Sequence, residues 1–209
     1  MIPALDTRLP AEDAAPSTRC RILQTAERFF RDIGYQKTTV ADIAKTLRMS
    51  PANVYRFFDS KKAINEAVVG RLIAEAEARM TVIADRPALS AEQRLRDIIT
   101  VMHSDAIDRC ETHPRMHEMI EAAMSESWDV CRVHVDRITD VFARVVAEGI
   151  SKGEFAAQDP AVAGRCIHTA ILRFCHPLLV VKCSEDDLAP ELDAMIAFVL
   201  AALRAPRLT

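Results

Sequence analysis

The sequence predicts an all-α fold of about nine helices, divided into an N-terminal three-helix head and a larger helical body. Three observations predict it. Half of the 209 residues are hydrophobic and only five are glycine, while Ala, Leu, Glu and Arg, which lose little freedom in a helix, are plentiful. Apolar residues recur at three- and four-residue intervals, without the strict alternation of a strand. Helix start and stop signals fall between the periodic stretches, and no internal repeat or low-complexity tract interrupts them.

Residues 1–16 contain three prolines and no periodicity, and read as a flexible arm. A first helix starts at Ser17 or Thr18, either of which can cap it. Ile22, Ala26, Phe29, Phe30 and Ile33 form its apolar stripe, and Gly34 ends it in a left-handed conformation. The second helix follows Thr38-Thr39 and buries Val40, Ile43, Ala44 and Leu47. Arg48-Met49 makes a tight turn. Arg48 stands at a turn position where glycine is usual, which predicts mild strain. Ser50 caps a third helix, with Pro51 at its first position, where the missing N–H is harmless. Val54 and Phe58 face inward; Pro51, Ala52, Asn53 and Arg56 face out.

Ser60 caps a long fourth helix to about Ala84, with no flexible linker between head and body. Ser90 and Gln93 form a capping box for the fifth helix, to about Cys110. The sixth covers roughly 114–125 and the seventh about 127–151, with Trp128, Val135, Ile138, Phe142 and Val146 apolar. Residues 149–158 read as a loop. Asp159-Pro160 opens the eighth helix, to about Val181, with Pro177 kinking it. The last covers about 187–204. The domain reading is therefore an arm over 1–16, a helix-turn-helix domain over 17–62 with its motif at about 40–59, and a helical body over 63–209.

Charge separates the same parts. Residues 17–62 hold ten Lys/Arg against four Asp/Glu, a balance of +6, so the remainder carries −9 to give the net −3. A basic head on an acidic body suits phosphate contact, and two short helices around a tight turn are the layout that reads a DNA groove. The chain shows no signal-peptide pattern, and the longest apolar run, Ala194 to Leu203, is too short to span a membrane. Six cysteines without paired spacing read as reduced thiols of the cytoplasm.

Residues 18–64 resemble the tetracycline-repressor (TetR) family of bacterial regulators. The resemblance is carried by Thr18-Arg19, Ile22-Leu23, Ala26, Phe29, Gly34-Tyr35, Thr38-Thr39-Val40, Asp42-Ile43-Ala44, Met49-Ser50, Val54-Tyr55, Phe58, Ser60-Lys61 and Ile64. Beyond residue 64 it is architectural, in length, helix count and the loop from Gly149 to Phe155. The MSPANVY segment and the HPLL segment of the eighth helix resemble some efflux-pump regulators. The family pattern implies phosphate contacts at Thr38, Thr39, Ser50, Tyr55 and Lys61, and groove-facing positions at Pro51, Ala52, Asn53 and Arg56. Two positions depart from it. Pro51 replaces a polar residue and offers only apolar contact. Phe57 replaces a histidine or tyrosine that usually contacts backbone, so that hydrogen bond is lost.

The resemblance further implies that 63–209 is a regulatory and dimerisation domain, and that the chain forms a homodimer on near-palindromic operator DNA, largely through the last two helices. Ala161, Ala170, Ala194, Ala197 and Ala201 would allow close approach there, and Ile171, Ile196 and Leu200 would supply apolar area. It also implies a repressor released by a small hydrophobic or amphipathic ligand. Met102, His103, Met116, Met119, Met124, Trp128, Phe142, His168 and Phe174 are the expected pocket walls, methionine being adaptable and polarizable. Two alternatives remain: a DNA-binding regulator without a small-molecule inducer, and a metal or redox sensor built on the Cys110/His113/His117 and Cys131/His134 spacings. No metal or other cofactor is expected. Nor is an enzyme, since Cys175 and His176 are adjacent and diverge on a helix, and no phosphate loop or nucleophile elbow is present.

Overall fold

A computed structural model describes residues 16–113, 115–182 and 188–205, apart from the side chains of His117, Val181, Lys182, Trp128 and Val130. Most of the expected arm therefore lies outside the described residues. The rest is helical, in the order α1 (Thr18–Asp32), α2 (Val40–Thr46), α3 (Pro51–Tyr55), α4 (Lys61–Ala84), α5 (Ala91–Thr112), α6 (Met116–Glu126), α7 (Trp128–Ser151), α8 (Pro160–Cys175), α9 (Pro177–Lys182) and α10 (Ala189–Arg204). No strand occurs among the described residues.

The helix boundaries follow the side chains that satisfy them. Ser17, Ser50, Ser60 and Ser90 each accept a hydrogen bond from the backbone N–H three residues on. Thr39 and Asp42 form a reciprocal capping box at the start of α2. Gly34 ends α1 at φ +102°, a conformation that favours glycine. The eighth helix departs from expectation. It does not run through Pro177 with a kink but stops, because proline forces the residue before it out of the helical region. His176 has φ −81° and ψ 121°, and α9 starts afresh behind it. The about nine expected helices are thus present, with the eighth divided into two segments among the described residues.

Arg48 adopts φ +56° in the helix-turn-helix turn, as the sequence predicts. That conformation costs a residue with a Cβ about 1 kcal/mol or more. Arg48→Gly is expected to stabilise the chain by a sizeable fraction of that amount, measured as a higher urea midpoint at unchanged m-value; a lower midpoint would show that the turn is unstrained.

Two hydrophobic cores share one helix. The head core gathers α1, α2, α3 and the first half of α4, including Ile22, Phe30, Ile43, Val54, Phe58, Ile64 and Val68. The body core gathers the end of α4 with α5, α7, α8 and α10 around Leu95, Ile98, Phe142, Val146, Ile171 and Ile196. α4 runs unbroken between them, so head and body are joined by one rigid element. α6 adds a second connection. Met116, Met119, Ala122 and Ala123 complete the head core, and the buried Asn65 of α4 donates to the Met119 carbonyl at 3.0 Å. Arg115, just before α6, donates to the carbonyl of Ile33 beside Gly34.

At the far end of the body, the loop from Gly149 to Phe155 is anchored by a helix N-terminus. Glu154 accepts from the backbone N–H groups of Ala91 at 2.7 Å and Glu92 at 3.3 Å, capping α5. α7 and α8 approach closely because position 164 is glycine: a Cβ there would lie 2.5 Å from the Thr139 carbonyl oxygen.

Candidate nucleic-acid interface

The outward face of α3 is built by what its inward face is bound to. Val54 is buried in the head core and Phe58 follows it there. That fixes the helix so that Pro51, Ala52, Tyr55 and Arg56 are exposed and Asn53 is half-exposed. Tyr55 is 48% and Phe57 40% exposed, which puts two aromatic side chains on the surface beside Arg56. Arg56 has no carboxylate partner among the described residues, so its charge and five donors remain available.

Ser50 accepts from the Asn53 N–H at 3.3 Å and keeps its hydroxyl proton for an outside acceptor. Lys61 is differently placed from a free surface lysine. Its Nζ donates to the Gln36 carbonyl at 3.3 Å and lies 4.3 Å from the centre of the Tyr35 ring. Burial lowers its pKa, and the carboxylate of Glu126 opposes that shift. The ammonium is held in place and retains two donors.

The two threonines are brought together but committed to the fold. Thr38 is only 1% exposed; its hydroxyl donates to Gly34 O at 2.8 Å and its N–H to the same carbonyl at 3.2 Å. The hydroxyl-or-amide phosphate contact expected at Thr38 is therefore replaced by a turn-locking role. Thr39 is exposed, but its N–H and hydroxyl both donate to Asp42 Oδ2, at 3.0 and 2.6 Å. Those two bonds hold the Asp42 carboxyl below its usual pKa. A phosphate would have to displace that carboxylate to reach Thr39.

The expected pocket residues separate into groups. Met116 and Met119 do not line the body: they are buried in the head core, because α6 packs against α1 and α4. Phe142 and Phe174 are buried in the body core. His103 donates through Nδ1–H to the Phe174 carbonyl at 2.8 Å, the tautomer being set by a group that can only accept. Met102, Met124 and His168 are half-buried. Burial lowers the His168 pKa, with His134 and His176 adding to the shift. The Trp128 side chain is outside the described set. An open cleft of about 360 Å³ lies elsewhere, between α1 and α4, lined by Glu27, Arg28, Arg31, Arg71 and His113 among others.

Of the residues in the metal and redox alternatives, the His117 side chain lies outside the described set. Among the described residues no group of three or more His, Cys, Asp or Glu is placed to hold a metal ion. Burial raises the thiols of Cys110 and Cys131 and pushes that of Cys175 up to about 12, which disfavours the reactive thiolate.

The expected dimer residues divide by face. Ile171, Ile196 and Leu200 point into the protomer's own body core. Their apolar area is covered within one chain, so they do not supply an exposed surface. Ala161, Ala194, Ala197 and Ala201 are exposed and Ala170 half-buried. The exposed apolar area on these helices comes instead from Val162, 38% exposed, and Phe198, 69% exposed. Periodicity alone could have found Phe198: two residues beyond Ile196, it sits on the opposite side of the helix from a core position.

A short helix that is backed by two others and exposes cationic and aromatic side chains, on a helical body with an exposed Ala/Phe stripe, defines a helix-turn-helix DNA-binding regulator. The chain belongs to the tetracycline-repressor (TetR) family. The family's DNA-binding region, described as bacterial regulatory proteins of the tetR family, matches residues 22–68, and a tetracyclin repressor-like C-terminal domain matches residues 91–196. The chain is 24% identical over 162 residues to the HTH-type transcriptional regulator TtgR of Pseudomonas putida, covering 73% of this chain and 77% of that protein. Among solved structures, the fold is similar to reduced NemR of E. coli, with a TM-score of 0.66 at 16% identity over 92% of this chain and 100% of that one. SmeT, the repressor of the Stenotrophomonas maltophilia multidrug efflux pump SmeDEF, gives 0.66 at 22% identity over 89% of this chain and 90% of that one. At these identities the structures speak to fold alone. The chain is a DNA-binding transcriptional regulator, and no described helix is long and apolar enough to cross a membrane.

Proposed function

We propose that this regulator acts as a homodimeric repressor that binds a near-palindromic operator and is released by a small hydrophobic or amphipathic ligand. The observation that carries the DNA half is the unneutralised Arg56 beside the exposed Pro51, Ala52 and Tyr55 on a helix clamped from behind by Val54. Arg56 and Asn53 read base edges, as guanidinium with guanine and amide with adenine. Ser50, Tyr55 and the Tyr35-held Lys61 meet phosphates and set register. Pro51, Ala52 and Phe57 give apolar contact, of the kind a thymine methyl accepts. Selecting bound duplexes from a random pool tests this reading; recovery of no half-site repeat would refute it.

Lys61→Ala should weaken operator and random duplex alike and flatten the salt dependence by about one unit of slope. A changed sequence preference would instead make Lys61 a base reader.

The ligand half is supported by relatives and by the joints of the fold. SmeT has been solved in complex with triclosan. In this chain, Met102 of α5, Met124 of α6 and His168 of α8 offer half-buried soft and imidazole surface. α4 and α6 each belong to the head while packing on the body. A ligand preferring one body arrangement would shift both helices, and so the separation of two heads in a dimer. Triclosan serves as a first probe: binding that leaves operator affinity unchanged would sink the coupling.

A further inference from the structure

The head holds a second cation organised by an aromatic ring, on an element that the helix-turn-helix reading leaves out. Arg19 lies in the first turn of α1 and is exposed, and its guanidinium carbon sits 4.6 Å from the centre of the Phe58 ring. Phe58 is buried in the head core immediately beyond α3, next to the exposed Phe57. A ring face attracts the guanidinium charge but offers its N–H groups no oxygen acceptor, so their strong hydrogen-bonding capacity stays unused. Arg19 therefore differs from Arg31 and Arg71, which are both paired with the carboxylate of Glu27. No carboxylate neutralises it among the described residues. Its charge is thus held beside the end of α3, and no side-chain hydrogen bond or ion pair among the described residues uses its donors. Lys61 is organised over Tyr35 in the same way, and Tyr35 packs edge-on against Phe30 in the core that also holds Phe58.

The geometry points to Arg19 as a phosphate-binding residue of the DNA interface, carried by α1 and positioned by Phe58. Its contact is to the DNA backbone and carries no base information. This inference rests on the DNA-binding reading of α3 and adds a clamp outside the helix-turn-helix. A guanidinium on a phosphate releases about one condensed counterion, which flattens the salt dependence when it is lost.

The test compares the full chain with Arg19→Gln and Arg19→Lys on operator and on random duplex, across a range of salt. Arg19→Gln is expected to weaken both duplexes by a similar factor and to make the slope of log affinity against log salt shallower by about one unit. Arg19→Lys, which keeps the charge, should retain most of the slope. Unchanged affinity and slope in Arg19→Gln overturns the proposal. So does weaker binding at unchanged slope with a lowered Tm, which would mean that Arg19 only packs on Phe58. A changed base preference would overturn it in favour of groove contact. If the wild-type chain binds neither duplex, the DNA-binding reading itself fails, which separates that failure from this one.

Discussion

Phe198→Asp should leave the chain folded and monomeric. Phe198 is 69% exposed on α10, so the substitution removes no packing from the protomer core formed by Ile196, Val199 and Leu200 on the same helix. In the proposed dimer the ring would be covered by the α8 and α10 faces of the partner, with the exposed alanines 161, 194, 197 and 201 letting the helices close around it. A central buried aromatic of this kind is worth about 2 kcal/mol or more to an interface, and two-fold symmetry makes the loss occur twice. A carboxylate in its place adds desolvation and like-charge repulsion across the axis. Sedimentation should therefore show a monomer at micromolar concentration, with an unchanged far-ultraviolet helix signal. Operator affinity should fall by about a hundredfold or more, because two linked half-sites become two separate weak ones. A dimeric Phe198→Asp chain would place the interface elsewhere. A monomeric chain that still bound operator tightly would show that assembly occurs on the DNA.

Arg56→Ala should abolish most of the discrimination between operator and random sequence. Arg56 follows Tyr55 at the end of α3, is exposed, and makes no side-chain hydrogen bond or ion pair within the protomer among the described residues. Its removal should therefore cost little stability, and unfolding free energies should agree within about 0.5 kcal/mol. A bidentate arginine–guanine contact contributes about 1–3 kcal/mol of discrimination, so the specific affinity should drop by roughly five- to 150-fold. Random duplex should lose only what one positive charge contributes. Equal losses on both would reassign Arg56 to the phosphate backbone and leave Asn53 as the base reader.

The contrast between Thr38 and Arg56 shows where sequence reading succeeds and where it stops. Both positions lie in the same region of the head, and the family pattern sends both to DNA. Arg56 is exposed because Val54 and Phe58 must be buried, a consequence of helical periodicity that the sequence carries. Thr38 faces the Gly34 carbonyl because Gly34 turns the chain back at φ +102°. Its hydroxyl is then committed before DNA arrives. Periodicity says which side of a helix is polar, but says nothing about whether a polar group at a helix start already has a partner.

The pocket shows the same limit at longer range. Met116 and Met119 have the composition of a soft, adaptable wall, yet their helix docks on the head. Ile171, Ile196 and Leu200 are apolar, as a dimer face would require, but the body core claims them before any partner chain could. In each case an apolar residue is legible as buried, and its burial partner is not, because the hydrophobic effect is non-directional.

What this sequence determines by itself is local: the helices, their serine and threonine caps, the strained turn at Arg48, the outward face of α3 and the resemblance that points to the family. These depend on contacts within a few residues, where spacing and side-chain chemistry suffice. The tertiary structure alone decides that α6 belongs to the head core and that Arg19 comes to rest on Phe58 from 39 residues away in the chain. Those outcomes depend on which surfaces meet, and surfaces distant in sequence meet according to the packing of the whole core.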